Sequence, residues 1–385
     1  MQYREVGDTG IKVSTLGHGT MRYKDNDNAI EMINHGLSLG MTYFDIGGAY
    51  GFRGDDDNGE TRVGAALKGI DRSTVVLSAK AQPRLGDNAK VDMGLGVNTR
   101  DQMWKCIENG LRRTGVEYFD FYQLWDMSCA DDFQAGCRES DSPLQAMREA
   151  KEQGLIRELG LTSHNPLPDM VIDWLDRTPD FKIATLYYNF NDRSPDKVLN
   201  YAREHGVGTV IMGPLRGGLL VGESEAFNDA LPELAGLPVQ EIALRFLLSN
   251  PGVSTVISGM NEIAHMDENA QVASLAEPMT PDQRARFIAA FEQFSQGEPL
   301  CSGCRYCAGS CPQGLPVWSM MGYYQLASIF GVDSGKLEVA KMYGAEKGPQ
   351  ICTECGSCVE KCPQKLPIPE YMKRMANLAE ELAGQ

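Results

Sequence analysis

Eight of the eleven cysteines lie beyond residue 300, in two runs of identical spacing. The first is Cys301-x2-Cys304-x2-Cys307-x3-Cys311-Pro312, and the second is Cys352-x2-Cys355-x2-Cys358-x3-Cys362-Pro363. Three thiolates set two residues apart wrap one face of an iron–sulfur cubane. The fourth, followed by a proline that breaks the loop, is left to reach a second cluster. That pattern assigns Cys301, Cys304, Cys307 and Cys362 to one 4Fe–4S cluster, and Cys352, Cys355, Cys358 and Cys311 to another. Structural zinc is the competing chemistry, but zinc takes two pairs of ligands rather than two quartets with a trailing proline. In a reducing compartment so many thiols point to metal rather than to disulfides. Cys106, Cys129 and Cys137 are scattered and form no such pattern.

The remainder of the chain has to position a second kind of chemistry. Its 385 residues, 42% hydrophobic and 23% charged, suit a soluble globular protein with one large domain and one small one. No stretch approaches ~18 consecutive apolar residues, so no membrane-spanning helix is expected. The opening MQYREVGDTG has neither a basic start nor an apolar run, so no signal peptide is expected and the cytoplasm is the expected address. A net charge of −16 argues against nucleic acid or an anionic membrane as the main partner. It serves solubility, or it forms an acidic face that docks a basic redox protein.

Short β-branched or aromatic runs alternate with helix-like segments along residues 1–280. The strand candidates are Thr15–Gly19, Thr42–Ile46, Val75–Ala79, Phe119–Leu124, Glu158–Thr162, Ile183–Tyr187, Thr209–Met212 and Ser254–Ser258. Helical patterns include Asn28–Leu39, Asp101–Thr114, Pro143–Gln153, Pro195–Glu204 and Pro238–Ser249. Eight β/α units predict an α/β fold, a closed parallel (β/α)8 TIM barrel. A doubly wound sheet is the alternative, weakened because no G-x-G-x-x-G follows the first strand. Tyr3–Val6, Gly10 and Lys12–Ser14 predict a small hairpin ahead of the barrel, placed to plug its bottom. Residues 281–385 form the predicted second domain, small, α-helical and ferredoxin-like, with one helix from Pro281 to Phe294 and another over Pro369–Leu382.

In this order, several segments resemble the aldo/keto reductase family, in particular its branch with a C-terminal ferredoxin-like extension. They are Thr9-Gly-Ile-Lys-Val-Ser-x-Leu-Gly17, Phe44-Asp45-x4-Tyr50-Gly51, Lys80, Met212-x-Pro214-Leu-Arg216-Gly-Gly218, Ile257-Ser-Gly-Met260 and Glu268-Asn269. The resemblance implies carbonyl reduction by hydride from a nicotinamide, with Tyr50 donating the proton, Lys80 beside it and Asp45 orienting Lys80. An ammonium near a phenol with an ordinary pKa of ~10 is expected to lower that pKa. By the same resemblance Gly19, Thr20 and Met21 meet the nicotinamide. Pro214, Leu215, Arg216, Gly217 and Leu219 wrap the pyrophosphate, and Gly259, Met260 and Asn269 hold the adenosine end. No basic clamp for a 2′-phosphate is evident, His265 standing near an expected arginine, so the coenzyme is NADP or NAD.

Two positions depart from the family pattern. Trp125 stands where the family carries a catalytic histidine, and Thr185 stands where a glutamine usually holds the carboxamide. An indole N–H donates one hydrogen bond and cannot relay a proton. Trp125 either walls the pocket against a flat substrate or marks an altered reaction. His164 either points into the same pocket or is a packed histidine. A nicotinamide delivers a hydride whereas each cluster passes single electrons, and no motif supplies a flavin between them. Three readings follow: an ordinary barrel beside a structural module, a reductase fed single electrons by a ferredoxin or other redox protein and acting on a small molecule, or an electron-transfer subunit.

Overall fold

The computed structural model describes the chain except residues 165–166, 225–227, 229–230, 296–300, 302–306, 329, 363–364 and 385. It opens with an antiparallel hairpin, β1 (Tyr3–Glu5) and β2 (Lys12–Ser14), in register Tyr3 to Ser14. Eight parallel strands follow: β3 (Leu16–Gly19), β4 (Tyr43–Asp45), β5 (Val76–Ala81), β6 (Phe119–Leu124), β7 (Ile156–Ser163), β8 (Phe181–Tyr187), β9 (Gly208–Met212) and β10 (Thr255–Ser258). They close into a barrel in sequence order, β10 pairing with both β9 and β3. The predicted strands are therefore all present, with β5 shifted toward its C-terminal end and β7 longer by two residues at its start.

Two of the connecting helices begin where a side chain replaces the missing backbone acceptor with a reciprocal cap. Thr99 and Gln102 form a reciprocal cap ahead of the helix Arg100–Thr114, which stops at Gly115 in the left-handed region (φ +69°). Asn58 and Thr61 do the same for Gly59–Ala66, and Arg62 of that helix donates to the carbonyl of Gly51, next to Tyr50, at 3.0 Å.

Side chains alternate across each strand, so inward residues stack in layers. The lowest layer is apolar: Tyr43, Val76, Phe121, Ile183, Val210 and Ile257 meet Val6, Ile11 and Val13 of the hairpin region. The hairpin thus plugs the N-terminal end, as its sequence predicts. Two residues further along β5, β6 and β8 come Ser78, Gln123 and Thr185. Gln123 donates to Ser78 Oγ at 2.7 Å, and Thr185 Oγ1 donates to Gln123 Oε1 at 2.9 Å. Gly160 leaves room where the β7–β8 register shifts; a Cβ there would lie 2.2 Å from the Ile183 carbonyl oxygen.

Contacts divide the chain into two compact units. The first comprises Met1–Tyr188, Arg193–Pro214 and Asn250–Pro278. The second comprises Asn189–Asp192, Leu215–Ser249 and Met279–Gln385, so the segment linking β9 to β10 groups with the cysteine-bearing region. Within the second unit the helices Val317–Ser328 and Ile368–Ala383 carry a core of Met320, Met321, Tyr324, Tyr371, Met372 and Met375, into which Cys307, Cys358 and Cys362 are buried. The expected helices near 281–294 and 369–382 appear as Pro281–Ser295 and Ile368–Ala383. Among the described residues no helix is long and apolar enough to cross a membrane.

Candidate functional site

The charges lie at and beyond the level of Ser78. On β4 the step of two from Tyr43 reaches Asp45, and on β5 the step from Ser78 reaches Lys80. Lys80 Nζ donates to Asp45 Oδ1, with only 4% and 2% of the two side chains exposed. A pair so desolvated persists only because each charge neutralises the other. Tyr50 arrives from the turn after β4, its N–H bonded to the Gly47 carbonyl at 3.1 Å. Its hydroxyl donates to the same Asp45 oxygen at 3.3 Å, and Lys80 Nζ sits 5.2 Å from the Tyr50 ring centre. Asp45 Oδ2 is buried and has no hydrogen-bond partner among the described residues.

Asp45, Tyr50 and Lys80 therefore meet, but not with the expected effect on the phenol. Burial, and next the Asp45 charge, raise Tyr50 well above the ordinary phenol value. Lys80 bonds Asp45, and burial favours the neutral phenol of Tyr50.

Trp125, one step beyond β6, meets the Tyr50 ring edge-on with centroids 5.7 Å apart, and Lys80 Nζ lies 5.9 Å from its ring centre. His164, just past β7, turns instead to Asp126, Nδ1 to Oδ1 at 2.8 Å, with its ring 6.1 Å from Tyr187. Asp126 is the residue the sequence gives least warning of. It adopts φ +55°, accepts from Gln82 and Arg84, and the same arginine reaches the buried Asp132 at 2.7 Å. Burial opposes its ionisation, yet the His164 hydrogen bond and the charges of His164 and Arg84 bring its pKa below the usual carboxylate range. Its signal in the sequence is only its place beside Trp125.

The expected coenzyme residues fall in both units. In the first, Thr20 Oγ1 donates to the Asp45 carbonyl at 2.9 Å, fixing the turn Thr20–Arg22 that leaves Met21 58% exposed. Met260 is buried, and its carbonyl bonds His18 Nε2 at 2.7 Å. His18 is pushed down to about 4 by burial, so it is a neutral strut. Gly19 packs beside Gly259, Asn269 Nδ2 lies 3.5 Å from Ser258 Oγ, and Pro214, buried, ends the segment Arg193–Pro214 of this unit. In the second unit Leu215, Gly217 and Leu219 surround Arg216, which adopts φ +49°. The Arg216 guanidinium lies against Gly322, with Nη1 buried and unpartnered. That orphaned donor suits an anionic oxygen.

In the second unit Cys352, Cys355 and Cys358 of one run and Cys311 of the other line a single cavity, closed by Leu315, Val317, Ile368, Pro369 and Met372. The donor set is four thiols in an apolar shell, which fits a cubane. Among the described residues no trio of His, Cys, Asp or Glu closes on a single ion. Cys355 is exposed, and its thiol is pulled below the ordinary value, first by the Ser357 hydroxyl and then by the Ser357 N–H. Cys301, Cys307 and Cys362 belong to the same core, whereas Cys304 lies outside the described residues.

Comparison with known proteins finds two families along the chain. Residues 15–290 match the aldo/keto reductase family, and residues 300–367 match a 4Fe-4S dicluster domain. The chain is 26% identical over 297 residues to the uncharacterized oxidoreductase YqkF of Bacillus subtilis, covering 71% of this chain and 92% of that one. It is 25% identical over 310 residues to L-galactose dehydrogenase of Arabidopsis thaliana, covering 74% and 91%. The holo structure of aldo-keto reductase AKR11C1 from Bacillus halodurans is 28% identical, with a TM-score of 0.61, over 75% of this chain and 96% of its own. The chain belongs to the aldo/keto reductase family as an oxidoreductase, and it carries a C-terminal 4Fe-4S dicluster domain.

Proposed function

We propose that this chain reduces a carbonyl-like small molecule with a nicotinamide dinucleotide, Tyr50 giving the proton, while its second domain holds two 4Fe–4S clusters. The observation that carries the reading is the convergence of Asp45, Tyr50 and Lys80 at the C-terminal end of the barrel. The coenzyme, when bound, supplies a hydride to the carbonyl carbon. The Tyr50 O–H bond breaks as its proton moves to the carbonyl oxygen, leaving a tyrosinate whose charge Lys80 offsets. Asp45 keeps the ammonium in place. Gly19, Thr20, Met21, Pro214, Leu215, Arg216, Gly217, Leu219, Gly259, Met260 and Asn269 are the residues proposed to hold the coenzyme. Cys311, Cys352, Cys355 and Cys358 would hold one cluster, and Cys301, Cys304, Cys307 and Cys362 the other, supplying one-electron chemistry.

Trp125 favours a second reading. Among the described residues an indole, and no imidazole, stands against Tyr50, at 5.7 Å. A flat substrate, or a reaction fed single electrons by a ferredoxin, would suit that wall better than a simple aldehyde. One anaerobic preparation tests both. About eight iron and eight sulfide per chain are expected, together with calorimetric binding of NADPH or NADH. Binding of neither coenzyme with clusters intact would overturn the hydride reading and leave an electron-transfer subunit.

A further inference from the structure

The two cysteine quartets are identical in spacing but not in what lies between the thiols. The second run reads Cys352-Thr-Glu-Cys355-Gly-Ser-Cys358, whereas the first reads Cys301-Ser-Gly-Cys304-Arg-Tyr-Cys307. In the second run Gly356, at φ +76°, turns the chain back on itself, and the Ser357 hydroxyl comes to 3.4 Å from Cys355 Sγ. The matching place in the first run is Arg305. Tyr306 occupies the place of Ser357.

The free thiol of Cys355 stands in for the thiolate that would bind iron. A thiolate has no proton to give, so in the loaded protein the serine hydroxyl is the donor and the sulfur the acceptor. Reduction adds one electron to a cluster and its thiolates while no bond is made or broken and no proton moves. A donor aimed at a ligand sulfur stabilises the added negative charge and so favours the reduced state. Cys355 is also the exposed member of its quartet, where Cys358 is buried, so this hydroxyl acts at the edge of the site nearest solvent.

We propose that Ser357 is a tuning residue that raises the reduction potential of the cluster on Cys311, Cys352, Cys355 and Cys358. The inference rests on the two-cluster reading, and the test separates the two. Anaerobic protein is titrated with dithionite against mediators and the two cluster signals are followed by electron paramagnetic resonance. In Ser357→Ala one midpoint should move to lower potential and the other should stay, with iron and sulfide unchanged. Ser357→Thr, which keeps a hydroxyl, should retain the wild-type midpoint. Unmoved midpoints in Ser357→Ala would overturn the inference, as would equal movement of both or a threonine variant that behaves like alanine. Loss of iron in Ser357→Ala would make the serine a scaffold residue and overturn it too. Wild-type protein lacking iron and sulfide would overturn the cluster reading itself, and this inference with it.

Discussion

The mouth of the barrel and the cysteine core solve the same problem, holding reactive groups out of water, by opposite means. In the barrel each buried charge meets a partner supplied by the polypeptide: Lys80 with Asp45, Arg113 with Glu60, Arg72 with Asp120. Strands place the first pair, helices the second, and a turn and a strand the third, and nothing external is required to hold them. In the second unit Cys358 and Cys362 are buried among methionines and tyrosines, and four thiols face a common cavity. Methionine fills irregular space but specifies shape weakly. A barrel site is assembled by the fold, whereas the proposed cluster site is assembled by what it binds.

The largest effects should come from breaking the barrel pair. Lys80→Met leaves the Asp45 carboxylate buried without a counter-charge, only the Tyr50 hydroxyl still donating to it, which costs on the order of 3–5 kcal/mol of stability. It should also remove carbonyl reduction by ~10²–10⁴-fold, the worth of a positioned proton donor. Tyr50→Phe should lose the same activity while thermal unfolding shifts little and coenzyme binding holds. Comparing the two melting curves is the check; equal stability losses would mean that Tyr50 supports the fold rather than the reaction. In the second unit Cys358→Ala should release about four iron per chain. Hydrogen exchange should then quicken across Val317–Ser328 and Ile368–Ala383 while the amides of β4, β5 and β6 keep their protection. Quickening in the strands instead would erase the contrast.

The contrast also explains what the sequence could show. Strand positions, the plugging hairpin and the cysteine quartets were legible because each is a local pattern: alternation, a turn residue, a fixed spacing. The Ser78–Gln123–Thr185 layer was not. It joins three strands separated by 45 and 62 positions. Thr185 reads in sequence as the loss of a glutamine, yet the carboxamide of this layer comes from Gln123. The expected lowering of the Tyr50 pKa is opposed first by burial and then by the Asp45 charge. Proximity of a lysine can be inferred from strand order, but the depth at which the phenol is buried cannot. Asp126 was invisible because its role depends on His164 and Arg84, each brought in from a neighbouring strand end.

Trp125 offers a smaller effect that sharpens the reading of the mouth. Trp125→His removes an edge-on aromatic contact with Tyr50 worth about 0.5–1.5 kcal/mol. Turnover on simple aldehydes should stay low, and binding of flat aromatic carbonyls should weaken. A rise in aldehyde turnover in steady-state assays would show that the imidazole alone was missing.

The smallest effect concerns Asp126 and the acid limb of stability. Its pKa is below the ordinary carboxylate value in the folded protein, against ~3.9 in an unfolded chain. A depressed carboxylate contributes stability that is fully present above the unfolded value and is lost as pH falls through the folded one. The groups facing it are His164, Arg84, Gln82 and Ser128, with Asp132 on the far side of Arg84. Asp126 keeps 28% of its side chain exposed, so solvent screens the pair and the contribution is about 1 kcal/mol. Asp126→Asn is the informative change, because asparagine tolerates the left-handed backbone at φ +55° as well as aspartate does. The substitution therefore removes the charge and leaves the turn. Urea unfolding of the variant should show a loss of about 1 kcal/mol at pH 7 that shrinks steadily below pH ~4, as the wild-type carboxylate is protonated. A loss that stays constant down to pH ~3 would assign the effect to packing at the strand end and not to the pairing of Asp126 with His164 and Arg84.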